Sequence, residues 1–124
     1  EYFGIRMSAD PEADMTSGQH CWAEFYLEGT GWVAADPADV LKAVLKNGWE
    51  KDSEDTKKIQ EYFWGNSDAL RIQLSTGRDL TLEPAQDGEP LNNFGYPYAE
   101  VNGESINCYA PQDFAYTITY KNNK

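Results

Sequence analysis

The chain has 124 residues, enough for one real hydrophobic core, and sets 21 Asp plus Glu against 10 Lys plus Arg, a net charge of -11 with its single histidine neutral. Such a balance repels phosphate backbones and anionic lipid surfaces, so neither nucleic acid nor a membrane is an expected partner, and no apolar run approaches the roughly 18 residues of a membrane span. Fourteen per cent aromatics separate it from disordered acidic chains, which lack the large apolar groups that offset ordering entropy.

In chain order, residues 2 to 8 alternate as in a strand already under way, which suggests that the 124 residues are one domain cut from, or processed out of, something longer. SADPEADMTSGQ follows as a polar loop. Residues 20 to 27 and 32 to 35 are rich in aromatic and β-compatible residues around EGTG, the pattern of a hairpin. Asp36-Pro37 reads as a helix start, because Asp accepts from free amides and Pro suits the first helical position. Val40, Leu41, Val44 and Leu45 keep helical spacing up to Gly48. A second helix is expected after Asp52, with Ile59, Tyr62 and Phe63 on one face and Gly65 at its end. LRIQLST, RDLTLEP, NFGYPYAEV and FAYTITY then read as strands. The expected class is α+β, a mainly antiparallel β-sheet with one or two inserted helices and a β-rich C-terminal part.

The chemistry concentrates in residues 17 to 36. On the two-residue period of a strand, His20, Trp22, Glu24 and Tyr26 share one face while Cys21, Ala23, Phe25 and Leu27 share the other. The second face is wholly apolar and is expected to meet the core, which makes Cys21 a buried structural thiol rather than a nucleophile. On the next strand Trp32, Ala34 and Asp36 share a phase. His20 and Asp36 then meet on the accessible face if the register pairs them directly, which requires an odd-length loop. A carboxylate so placed fixes the imidazole tautomer and stabilises the imidazolium. Asp36 also suits the helix cap, and the two roles are compatible because a carboxylate has two oxygens. Asp39 is a weaker rival, already inside the helix.

The stretch GQHCWAEFYLEGTGWVAADP, residues 18 to 37, resembles the His and Asp segments of the transglutaminase-like superfamily of papain-like thiol enzymes. In that family a His on an aromatic-rich strand, a G-x-G-W turn and a V-x-x-D-P end supply two members of a Cys-His-Asp triad. Residues 62 to 84 and 91 to 103 are similar to the continuation in bacterial members. The resemblance implies His20 as base, Asp36 as orienting acid, Trp22 and Trp32 lining the site, a protein or peptide substrate, and no metal or organic cofactor. The family's nucleophilic cysteine precedes the His, at the start of a helix, whereas here no cysteine precedes His20. Cys108, in the turn-like SINCYAPQ, has nothing to place it near the histidine.

Two classes of function are therefore expected. One is the His/Asp half of a thiol acyltransferase or peptidase, inactive alone and prone to self-association because a core helix is missing. The other is a non-catalytic protein- or peptide-binding module, with Trp22, Trp32, Trp64 and the Tyr-rich strand as an aromatic surface. Calcium, zinc and phosphate-loop motifs are absent, as is the G-x-S-x-G elbow of serine hydrolases. The compartment is not determined by two cysteines.

Overall fold

A computed structural model describes residues 1–122. In chain order the elements are β1 (Tyr2–Arg6), β2 (Glu12–Asp14), β3 (Gln19–Leu27), β4 (Gly31–Ala35), α1 (Pro37–Asn47), α2 (Glu54–Tyr62), β5 (Arg71–Thr76), β6 (Glu100–Val101), β7 (Glu104–Ser105) and β8 (Thr119–Lys121). The fold is α+β, and the registered strand pairings are antiparallel. Two compact units divide the chain: one holds Cys21–Ala69, and the other holds Tyr2–His20 together with the residues from Leu70 onward.

The first unit is built around the β3–β4 hairpin, with rungs Ala23↔Ala35, Phe25↔Val33 and Leu27↔Gly31. Its turn is Glu28 to Thr30, closed by the Thr30 amide donating to the Leu27 carbonyl at 3.0 Å. At α1 the local signals act as the sequence suggests. Asp36 accepts from the Asp39 amide at 2.8 Å, Pro37 occupies the first turn, and Gly48 ends the helix at φ 63° with its amide on the Val44 carbonyl. A residue with a Cβ resists that left-handed conformation, so glycine is the natural stop.

Helix α2 starts one residue later than Asp52 would place it, on a Ser53 cap that accepts from the Thr56 amide at 3.2 Å. Thr56, 2% exposed, donates its hydroxyl to the Glu50 carbonyl at 2.8 Å and so ties α2 to the turn that precedes it. After α2 the chain returns to the free side of β4. The Gly65 amide donates to Ala34, the Asp36 amide donates to Phe63, and Ala35 bridges Trp64. Phe63 is thereby buried, and the Trp64 ring packs on Phe25 with centroids 5.1 Å apart.

In the second unit β1 pairs with β5, with a bulge between Phe3 and Gly4. Residues expected to be loop contribute β2, which pairs with β8 across more than a hundred residues of sequence. β6 and β7 form a two-residue hairpin at Asn102 and Gly103, both with positive φ, the backbone that an Asn-Gly turn supplies.

Three of the expected strands are cut down. RDLTLEP retains a single bridge, Leu80 to Leu91. Its amides and carbonyls turn instead to side chains: Gln86 accepts from the Leu82 amide and donates to the carbonyls of Leu80 and Glu89. NFGYPYAEV is strand only at Glu100–Val101, since Pro97 brings no amide and Gly95 no side chain to a ladder. FAYTITY is strand only from Thr119, because β2 offers just three residues to pair with.

Candidate functional site

The hairpin positions the residues that the sequence singles out. His20 is the second residue of β3 and is half-buried, as is Trp22. Trp32 on β4 is 69% exposed and meets the cross-strand Tyr26 ring edge-on, centroids 5.6 Å apart at 75°. Asp36 is 1% exposed at the junction of β4 and α1. Trp32 is thus gathered with Tyr26 at the turn end of the hairpin, while Asp36 lies at the opposite end, one residue past the last rung.

The loop has the odd length that face-sharing requires, but its register is displaced. Continuing the rungs from Ala23↔Ala35 sets Trp22, not His20, level with Asp36. The direct rung anticipated between His20 and Asp36 therefore does not form. The turn falls one residue later than that pairing needs, because the reversal is centred on Gly29, whose φ of 81° suits it, and Gly31, at 101°, closes the loop.

Asp36 is fixed rather than mobile. Its Oδ1 accepts the Asp39 amide at 2.8 Å, its own amide donates to the Phe63 carbonyl at 3.3 Å, and its carbonyl takes the Val40 amide. Burying a carboxylate is costly unless it is hydrogen-bonded, and the positive end of α1 favours the charged form here. Asp39, the weaker rival, is also buried and lies 3.6 Å from the Lys42 ammonium, whose side chain is 66% exposed. Beside Asp36 runs an apolar trough of about 760 Å³, bounded by Pro37, Val40, Leu41, Val44, Phe63 and Trp64.

Cys21 corrects one expectation. It is exposed, not buried. The apolar face of β3 is covered at Phe25 by Trp64, but that cover does not extend to Leu27, 49% exposed, nor to Cys21. Alternation along β3 still turns the Cys21 side chain away from the side of His20 and Trp22. Cys21 is therefore set apart from His20 by direction alone and not by burial. Cys108 is a free, half-buried thiol.

The second unit contains a further site, to which no motif in the sequence points. A cleft of about 480 Å³ is walled by Tyr96, Tyr109, Phe114 and Tyr116, with Gln19 and Cys108 also lining it. The sequence signal was present only as tyrosine enrichment; which rings converge depends on long-range folding.

No family model matches the sequence, and no solved structure matches it. The chain is 38% identical to an uncharacterised protein of Haemophilus influenzae over 138 aligned residues, which take in 98% of this chain and 37% of that protein. The chain thus spans little more than a third of the length of the curated relative it matches.

Proposed function

We propose that the protein carrying these residues performs thiol-dependent acyl transfer or hydrolysis at amide or peptide carbonyls, with His20 as proton carrier and Asp36 as its orienting carboxylate. The thiolate comes from a cysteine outside the 124 residues, so this chain by itself is inactive. The thiolate attacks the carbonyl, the C–N bond breaks with His20 protonating the departing amine, and an acyl-thioester remains. Water or an amine, deprotonated by His20, then releases the acyl group and restores the thiolate.

The observation that carries this reading is Asp36, a carboxylate 1% exposed and pinned by a helix cap at the end of the strand that pairs with the histidine's own. An orienting acid needs that fixity, since a mobile carboxylate holds no tautomer.

The test is an amine-incorporation and ammonia-release assay on glutamine-containing peptides, using the longer Haemophilus influenzae relative. Turnover should be blocked by iodoacetamide and abolished by alanine at the residues aligned with His20 and Asp36. Undiminished turnover in those folded variants would remove the reading, and so would absence of thiol-dependent chemistry. The exposed Trp32 and Trp64 rings, 69% and 68% accessible, support a second reading, a binding module that presents aromatic side chains. Peptide binding without turnover in the same assay would favour it.

A further inference from the structure

The aromatic cleft of the second unit has a chemistry of its own, independent of the acyl-transfer reading. Two ring pairs form its walls: Tyr96 with Tyr109, centroids 4.8 Å apart at 58°, and Phe114 with Tyr116, 6.1 Å apart at 58°. Pairs tilted in this way present ring faces in different directions, and centroids this close let one small cation lie within about 6 Å of both members of a pair. Tyr109 is 68% exposed, a large aromatic surface left in water.

The polar groups of the cleft are hydroxyls and an amide. Gln19 donates from Nε2 to the Tyr116 hydroxyl at 3.2 Å, which leaves its carbonyl oxygen as an acceptor, and Thr16 and Ser17 add hydroxyls. Among the described residues no Lys, Arg or His lines it, so these offer an anionic ligand no countercharge. Burial, and next the neighbouring Cys108, raise the Tyr116 hydroxyl above its ordinary range, so it remains a neutral hydrogen-bonding group.

The charges closest in sequence are acidic. Asp14 lies two residues before Thr16 and bonds its amide at 2.8 Å, and Asp113 directly precedes Phe114. The chain as a whole carries -11. Electron-rich ring faces, acceptor groups and a negative field all favour a planar, weakly hydrated cation.

We propose that the Tyr96–Tyr109–Phe114–Tyr116 cleft is a recognition site for an arginine side chain of a protein or peptide, with the guanidinium on the ring faces and its N–H groups donating to the Gln19 and Thr16 oxygens. The volume of about 480 Å³ leaves room for the aliphatic stem and adjoining backbone as well as the guanidinium.

The test is a titration of the 124-residue chain with N-acetyl-arginine N-methylamide and, in parallel, with its citrulline counterpart, which keeps shape and loses charge. Binding is followed by NMR shifts of the Tyr and Cys108 resonances. Arginine should saturate with an affinity about fivefold or more above citrulline, the ratio expected for a cation on aromatic faces. Tyr109→Ala should weaken arginine binding by a similar factor while Tyr109→Phe retains it, and the exposure of Tyr109 keeps both variants folded. Equal affinity for citrulline, no saturation, shifts confined to residues outside the cleft, or wild-type affinity in folded Tyr109→Ala would each overturn the proposal.

Discussion

Asp36 carries a structural role and a proposed catalytic one, and two substitutions separate them. Asp36→Ala removes the oxygen that caps α1 and leaves the Asp39 amide, on a residue 7% exposed, without that acceptor. Losing an N-cap costs about 0.5 to 2 kcal/mol, and because the stranded N–H is buried the upper end applies, so a loss of about 2 kcal/mol is expected. Asp36→Asn keeps an acceptor at the cap position, where Asn and Asp rank together, and should cost less than about half as much. Urea unfolding monitored by tryptophan fluorescence reads the difference. With a slope of about 1.5 kcal/mol per molar urea, the alanine variant's midpoint falls by roughly 1.3 M. The activity of the longer protein should order differently: both variants should lose turnover, since neither supplies the negative charge that stabilises an imidazolium. An alanine variant within about 0.5 kcal/mol of wild type, or an asparagine variant as unstable as alanine, would refute the cap argument. An asparagine variant that retains full turnover would refute the orienting role while leaving the cap intact.

Cys21 should be alkylated by iodoacetamide in the folded chain ahead of half-buried Cys108, and Cys21→Ala should change stability by less than about 0.5 kcal/mol; mass spectrometry and urea midpoints check the two statements. Glu100 binds the loop before it, accepting from the Tyr98 hydroxyl and from the amides of Asp87 and Gly88, and these bonds, that from Tyr98 foremost, hold its carboxyl below its ordinary 4.5. Because the folded value is the depressed one, its contribution is complete above about 4.5 and is lost as pH falls through the folded value. Glu100→Gln should flatten that part of the acid-unfolding profile, and an unchanged profile would contradict the assignment. The same bond to Glu100 is the main reason the Tyr98 phenol is pushed up to about 12, so the stabilisation it provides is complete below 10 and lost as pH rises toward 12. Ultraviolet titration should show this late tyrosine move to lower pH in Glu100→Gln. Gly48→Ala should cost about 1 kcal/mol by thermal or urea unfolding, wholly through the backbone, because a Cβ there meets open space.

The elements that the residues announced are those whose causes lie within a few positions of one another. Asp36-Pro37 begins α1 and Gly48 ends it because a cap, a fixed φ and a permissive φ are properties of single residues. EGTG between two aromatic-rich runs forms a hairpin for the same reason, and only the register escaped, since a displacement of one residue in the turn leaves every local preference satisfied. The Asn102-Gly103 turn carried a local signal equally strong, which lay unread just past the end of the expected strand NFGYPYAEV. Tertiary structure decided the rest. A strand exists only where another edge is available, so β2 forms because β8 reaches it, whereas RDLTLEP, equally strand-like in pattern, is held by Gln86 instead. Burial is likewise a property of what lies opposite: Cys21 belongs to an apolar face, yet it is exposed because Trp64 covers Phe25 and reaches no further along the strand. The aromatic cleft is the clearest case, since Gln19 and Tyr116 stand 97 residues apart in the chain and share one hydrogen bond. Composition establishes that tyrosines are plentiful, and chain folding alone selects which of them face one another.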